Sequence, residues 1–359
     1  MPGDDNDKMI TESFEREMLR ELESQYRRYP AMQPEDTVKF IFQSMLGVGH
    51  ILSDRATVTR YIENEMAGLE ANPEEPLFEV LSPAWCRLNL RRATAEHIQP
   101  SVIAGMMTAS GFETRFSRKD AADVFARFAE TKDQRFREPD LTDVLLNEEK
   151  LPSHSAVYHD RYHPAYRVVS TFWLRCITAV RAVADITAGT GRRMITIDGP
   201  CASGKTTLAD RLAAVFDAAV VHTDDFVVPH AMKTKERLAV PGGNCDDERL
   251  AGEVAEPFKN GESVRYRRYD CAADRLLDEE TLPDCRLLIL EGCYCNLPSV
   301  RRYADLRLFV SAPEKTRMER LKKRETPESL RRFGEMWIPL ENAYFSAFGL
   351  PDDGSFVIE

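Results

Sequence analysis

The sequence predicts two unlike halves: a mostly α-helical domain, then an α/β domain built on a parallel sheet. Three observations carry that prediction. From Met194 onward, short apolar runs alternate with amphipathic stretches, the pattern of strands joined by crossover helices. A glycine-rich stretch, "GPCASGKTT", lies between one such strand and one such helix. Before about residue 190, apolar residues instead recur mainly at helical spacing. With 359 residues the chain is too long for one average core, so two domains are expected.

Taken in order, residues 1–12 read as a disordered tail, and "ESFEREMLRELESQYRRY" as a solvated amphipathic helix. "QPEDTVKFIFQSMLGVGHIL" opens with a proline and acids and predicts an apolar helix ending near Gly47 and Gly49. "SDRATVTRYIENEMAGLE" predicts a helix capped by Ser53 or Asp54. "WCRLNLRR" alternates like a short strand. "QPSVIAGMMTAS", "RKDAADVFARFAE" and "LTDVLLNEE" predict helices, and Tyr166 to about Thr187 the most apolar helix of the chain. The segment "AGTGRR" marks the change of character, which sets the domains at 13–190 and 191–359. Expected strands of the second domain are Met194–Ile197, Ala219–His222, Leu287–Leu290, Leu306–Val310 and Phe356–Ile358.

Composition narrows the class. A formal net charge of −11 argues against nonspecific binding of nucleic acid or anionic membrane. No apolar run is long enough to span a bilayer, and the first residues lack the basic-then-apolar order of a secretory signal. Eight scattered cysteines without zinc spacing fit free thiols in a reducing cytoplasm. In "HSAVYHDRYHPAYR", His159 and His163 stand four apart, the spacing of a helical metal pair. No third ligand is near and Pro164 breaks the helix, so packing of these rings against the second domain is expected. His50 in "GVGHIL" suits a pocket or a helix-ending turn, and Arg87, Arg91 and Arg92 suit an anion contact. Nothing in this half has a catalytic signature.

The chemistry concentrates after Met194. Gly199, Pro200, Cys201, Ala202, Ser203, Gly204, Lys205 and Thr206 match GxxxxGK-S/T with a strand before and a helix after. The glycines let backbone N–H groups turn inward around phosphates, and the helix N-terminus favours negative charge. This assigns nucleotide binding to Gly199, Cys201, Ala202, Ser203, Gly204, Lys205, Thr206 and Thr207. Lys205 would reach the β- and γ-phosphates of ATP, and Thr206 would ligate Mg2+. "VVHTDDFVVP" puts Asp224 and Asp225 at a strand's C-terminal edge, where open α/β sheets bind ligands. A carboxylate there can take a proton from an attacking hydroxyl or cap the following turn. "RLLILEGCYC" ends a buried strand in Glu291, suited to orienting magnesium. "RMERLKKRE" places Arg317, Arg320 and Arg324 on one helical face, either as solvated charge or as cations over a transferring phosphoryl group.

These stretches resemble the uridine kinase and phosphoribulokinase family over roughly residues 192–359. The resemblance implies a phosphate-loop kinase that moves the γ-phosphoryl group of ATP to a hydroxyl of a small molecule, most readily a nucleoside. It implies that Asp224 is the base, with Phe226 in the aromatic position, and that Glu291-Gly292 is the metal-strand ending. "GGNCDDERL" looks like the family's acceptor loop, with Asn244 and Asp246 in matching places, and Tyr269-Asp270 resembles its Tyr-Asp step. The resemblance makes Arg320 and Arg324, then Arg317, the lid arginines. Asp246, Arg268 and Tyr269 are the expected acceptor residues. "EMWIPLENAYF" is similar to an aromatic-proline segment of nicotinamide riboside kinases. The base motif lacks the usual tyrosine and the histidine of the nucleoside loop is missing, which leaves nicotinamide riboside, pantothenate or a sugar phosphate as alternative acceptors. A nucleotide-binding regulator with little turnover, and assembly as a homo-oligomer, stay open.

Overall fold

The computed structural model describes residues 3–48, 54–111, 116–130, 146–147 and 151–359, with side chains described from residue 12. Ser53, His50 and most of "LTDVLLNEE" lie outside those residues. The chain divides into two compact units, Met1–Leu174 and Arg175–Glu359.

The N-terminal unit opens with α1 (Gly3–Arg28), which begins inside the segment read as a tail. Helix α2 (Pro34–Leu46) starts where Pro34 needs no amide partner and the Gln33 N–H donates to Asp36 Oδ2 at 2.8 Å. Its apolar side, including Phe40, Ile41 and Met45, is buried. Helix α3 (Arg55–Ala67) is capped by Asp54, which accepts the Thr57 N–H at 3.0 Å. Strands β1 (Phe78–Val80) and β2 (Trp85–Asn89) follow, then α4 (Leu90–Ala95), α5 (Pro100–Ser110), α6 (Arg118–Ala129), α7 (Ala156–Tyr162) and β3 (Tyr166–Ser170), and α8 (Phe172–Thr187) begins in this unit and continues into the next. β2 stops at Asn89, whose side chain caps α4, so Arg91 and Arg92 lie on a helix and not on a strand.

The expectation of one helix from Tyr166 to Thr187 is wrong in its first turn. Tyr166–Ser170 is instead the third strand of an antiparallel sheet of order β1-β2-β3, with Trp85 opposite Ser170 and Asn89 opposite Tyr166. Val168 and Val169 suit a strand, but their partner lies far back in the sequence, beyond the reach of local periodicity. The helix proper begins at Phe172, anchored where the Trp173 indole N–H donates to Ser110 Oγ at 3.0 Å.

The C-terminal unit carries the parallel sheet, with β4 (Arg193–Asp198), β5 (Ala219–His222), β8 (Leu287–Glu291), β9 (Leu306–Val310) and β10 (Ser355–Ile358) close to their expected bounds. Its five strands run in the order β10-β9-β4-β8-β5, all parallel. β8 is buried along its whole length, as a strand covered on both faces must be. Each of its leucine and isoleucine side chains contributes roughly 2 kcal/mol of burial. Between β5 and β8 stands an antiparallel hairpin, β6 (Arg265–Asp270) and β7 (Arg275–Thr281), that the sequence reading lacked. Helices α9 (Lys205–Phe216), α10 (Glu314–Arg324) and α11 (Ile338–Phe348) are the long helices of this unit. Because β4, β5 and β8 are neighbours, their carboxyl ends bring Asp198, His222 and Glu291 to one edge, with His222 directly opposite Glu291.

Candidate nucleotide and phosphoryl-transfer site

The loop from Gly199 to Gly204 leaves the end of β4 and enters α9 at Lys205. Gly199 has φ +140°, and a Cβ there would run into the Val310 carbonyl, so only glycine lets the chain turn this close to β9. Gly292 makes the same kind of exit from β8 at φ +128°, against the Thr223 hydroxyl. That explains why an acid and then a glycine end that strand.

The loop is held from outside. The Cys201 N–H donates to Glu341 Oε2 at 2.9 Å. Arg317 donates to the Cys201 carbonyl at 3.3 Å, and Arg320 to the Ala202 and Ser203 carbonyls at 2.9 Å each. Below it, Asp198 is fully buried, accepts the Gly199 N–H at 2.7 Å and accepts the Tyr344 hydroxyl at 2.7 Å. Burial pushes the Asp198 carboxyl up to about 6 against those hydrogen bonds. The Lys205 ammonium donates to the Pro200 carbonyl at 3.1 Å.

Across the loop, the Thr206 hydroxyl donates to Glu291 Oε1 at 3.2 Å, and His222 Nδ1 lies 2.5 Å from the same oxygen. That bond raises the His222 imidazole above its ordinary value. Glu291 is 5% exposed, and its other oxygen, Oε2, is buried with no hydrogen-bond partner. A bare carboxylate oxygen beside a threonine hydroxyl is the hard-oxygen environment that magnesium takes, with substrate phosphates supplying further ligands. Among the described residues no three His, Cys, Asp or Glu side chains converge as a metal cage. Magnesium bound through one carboxylate, a hydroxyl and phosphates needs none.

Asp224 and Asp225 lie in the single helical turn Thr223–Phe226 that leaves β5. Asp224 is exposed, and desolvation by the protein around it raises its carboxyl; Lys205 opposes this, Glu291 adds to it, and His222 and Arg324 oppose it in turn. Asp225 is raised chiefly by burial, with His222 and Arg268 opposing. Phe226 beneath them is fully buried, with the Arg249 guanidinium 4.7 Å over its ring.

The sequence-predicted residues therefore fall into groups. Gly199, Cys201, Ala202, Ser203, Gly204, Lys205, Thr206 and Thr207 form the loop and the first turn of α9, with Glu291 and Asp224 alongside. Arg320 is engaged with loop carbonyls, and Arg324 pairs with Glu325 at 2.8 Å while acting electrostatically on Asp224. Asp246 caps a short helix by accepting the Arg249 N–H at 3.3 Å. Arg268 is an exposed residue of β6 paired with Glu280 at 2.6 Å, and the Tyr269 hydroxyl bonds Asp274. Asn244 is buried with its Oδ1 unpartnered. His222, Glu341 and Tyr344 escaped the sequence reading as site residues. His222 had a signal, standing just before "TDDF", whereas the other two lie some 140 residues from the loop they touch.

His159 and His163 do not share a helix face, because α7 ends at Tyr162 and His163 takes the left-handed conformation that stops it. His154 stacks on Tyr158 at 4.0 Å, and Tyr29 meets Tyr158 and Tyr162, all within the N-terminal unit.

Comparison with known proteins bears on the second unit. The AAA domain family model matches residues 195–342. No curated protein matches the chain. Among solved structures, a possible uridine kinase from Bacillus stearothermophilus is 20% identical over 52% of this chain and 99% of its own, with a TM-score of 0.42. A candidate fructose transport system kinase from Silicibacter sp. TM1040 is 23% identical over 48% of this chain and 94% of its own, with a TM-score of 0.40. Deoxyadenosine kinase from M. mycoides with bound dATP is 15% identical over 46% of this chain and 90% of its own, at 0.25. At these levels the three are similar structures and no more. Residues 195–342 thus form a phosphate-loop domain, matched by the AAA domain model and resembling in its motifs the uridine kinase and phosphoribulokinase family.

Proposed function

We propose that the C-terminal unit is a magnesium-dependent ATP phosphotransferase acting on a hydroxyl of a small molecule, with a nucleoside as the first acceptor class. The observation that carries this reading is Asp224: a carboxylate at the C-terminal edge of β5, raised in proton affinity, within the electrostatic reach of Lys205 and Glu291. In this reading the acceptor hydroxyl oxygen forms a bond to the γ-phosphorus as the bond from that phosphorus to the β,γ-bridging oxygen breaks. The hydroxyl proton passes to Asp224, and ADP leaves with the bridging oxygen. A raised carboxyl is the better base for this step, since its conjugate acid holds the proton. Lys205 binds the β- and γ-phosphates, and the loop amides orient them. Thr206 and Glu291 would hold magnesium, which when bound neutralises charge between the β- and γ-phosphates. Arg324 faces the same charge, and Arg320 keeps the loop in shape. Asp246, Arg268 and Tyr269 are assigned to the acceptor side. Free thiols fit a cytoplasmic protein.

The test is acceptor-dependent ADP release from magnesium-ATP across nucleosides, vitamins and sugar phosphates, with products identified by mass. Asp224→Asn is expected to lower turnover by about 10²–10⁴-fold, the usual worth of a general base. It should leave the ATP dissociation constant within about threefold, a change too small for a lost phosphate contact. Loss of ATP affinity in that variant counts against the base role. ADP release indifferent to every acceptor overturns the kinase reading.

A further inference from the structure

We infer that Glu341 and Tyr344 of α11 are positioning residues that hold the phosphate loop in its binding shape before a nucleotide arrives; this rests on the nucleotide-binding reading above. A phosphate loop works by presenting backbone N–H groups in a fixed curve. In this chain the curve needs left-handed backbone at Gly199, Ala202 and Gly204, with φ of +140°, +57° and +113°. Such conformations persist when the surroundings over-determine them.

Two side chains one helical turn apart supply the constraint. Glu341 is 7% exposed and Tyr344 is 0% exposed; from one face of α11 the first reaches the loop and the second the end of β4 just before it. Glu341 takes the Cys201 N–H at 2.9 Å. Tyr344 donates to Asp198 Oδ2 at 2.7 Å, and Asp198 Oδ1 in turn takes the Gly199 N–H at 2.7 Å. The Tyr344 oxygen also accepts the Asn296 N–H at 3.2 Å, which ties the brace to the residues just after β8. The first and third residues of the loop are therefore fixed by α11. The carbonyls of the third, fourth and fifth are fixed by Arg317 and Arg320 of α10. A buried carboxylate beside a site for phosphates is unfavourable unless it has work to do. Burial raises the Glu341 carboxyl, and the Cys201 N–H, Lys205 and Arg317 act against that rise, so the loop amide is a hydrogen bond this buried group needs.

The experiment follows backbone amide exchange in the peptide spanning Asp198–Gly204 of the nucleotide-free full chain. It is paired with calorimetric titration of magnesium-ATP. Glu341→Ala is expected to raise exchange in that peptide and to weaken ATP binding by about 10–100-fold, the range for losing a hydrogen bond to a charged group. Glu341→Gln keeps an acceptor for the Cys201 N–H and should restore the slow exchange. In turnover, the loss in Glu341→Ala should fall on KM for ATP with kcat little changed, which a general loss of packing does not produce. Should Glu341→Ala fail to fold, Tyr344→Phe deletes one oxygen and puts the same question to the Gly199 amide. Unchanged exchange in the folded Glu341→Ala or Tyr344→Phe protein overturns the inference. Failure of wild-type protein to bind ATP would instead defeat the nucleotide reading and leave the exchange result standing by itself.

Discussion

Each half of the molecule buries a network of polar side chains, and the two networks differ in what they leave unfinished. In the N-terminal unit, Asp36 accepts the Gln33 and Ser155 N–H groups and the Ser155 hydroxyl, and lies 2.8 Å from His154. His154 reaches the Tyr166 hydroxyl at 2.6 Å. The buried Arg87 guanidinium donates twice to Gln43, once to Gln25 at 3.0 Å, and pairs with Glu79 at 3.3 Å over the Tyr166 ring. Each of these charged groups has found protein partners. In the C-terminal unit, Glu291 Oε2, Ser203 Oγ and Asn244 Oδ1 are buried without one. Native proteins pair nearly all buried polar atoms, so groups left wanting, here with Asn296 Nδ2 and Arg317 Nε as well, are where a water, an ion or a ligand can supply a partner. A satisfied network specifies structure. Charge and aromatic density alone, which drew attention to both stretches in the sequence, do not separate the two cases.

The sharpest way to break this contrast is Arg87→Met. If the first network is scaffold, removing its guanidinium leaves the Gln43 and Gln25 side-chain oxygens without their donor, while Glu79 keeps Arg28 at 2.6 Å, and should cost about 1–3 kcal/mol for each stranded oxygen. The cost should appear in urea unfolding followed by amide exchange of N-terminal peptides, with ATP affinity unchanged. A folded, stable variant with altered ATP binding would put function in the first network. Next in size is Glu291→Gln. If Oε2 awaits magnesium, the variant should need about 100-fold more magnesium for ATP binding, near 3 kcal/mol, while remaining as stable as wild type. Equal magnesium dependence would reduce Glu291 to a partner of Thr206 and His222.

The smallest effect sharpens the contrast through pH. Burial lowers His154 to about 4, against the pull of Asp36, so the folded state keeps it neutral. The Asp36 carboxyl is itself lowered by the hydrogen bonds from His154, Gln33 and Ser155, against burial, and so stays ionised. The unfolded chain then binds a proton near His154's ordinary value that the folded one refuses, and stability of the N-terminal unit falls as pH drops from about 6.5 toward 4. Asp198 behaves oppositely. Raised to about 6, it is protonated earlier in the folded state, so its contribution grows as pH falls from about 6 toward 3.8. Exchange measured unit by unit should show the two stabilities moving in opposite directions over that window. Parallel loss in both units would contradict the assignment.

Much of the second unit was legible because its signals are local. A loop motif between a strand and a helix, and apolar runs ended by acids, can be read within ten residues. Where the sequence misled, the deciding partner was remote. Tyr166–Ser170 is a strand because β2 lies beside it, and the segment's own apolar pattern suits a helix equally well. The β6–β7 hairpin hid because "RYRRYD" exposes most of its arginines and offers only Tyr266 and Tyr269 to the interior. Glu341 and Tyr344 stood in a segment noted for its aromatics, but nothing nearby states that they meet the phosphate loop. Arg317, Arg320 and Arg324 lie on one helix as spacing predicts, and only the structure tells that Arg317 and Arg320 grip loop carbonyls.

The cysteines offer an observer of this site that needs no engineering. Of the eight, Cys201, Cys245, Cys293 and Cys295 are buried around the phosphate loop and the strand ends, while Cys271 is exposed at the tip of the β6–β7 hairpin. Cys271 lies within electrostatic reach of Lys233, Asp224 and Asp225. Exposure should make the hairpin tip the first site a thiol reagent labels, although its thiol is raised, with the half-buried Cys285 next and the buried thiols only as the core opens. An environment-sensitive dye on Cys271 would report changes near Asp224 and Asp225, and slow labelling of Cys201 would time the opening of the loop, both in one untouched sequence.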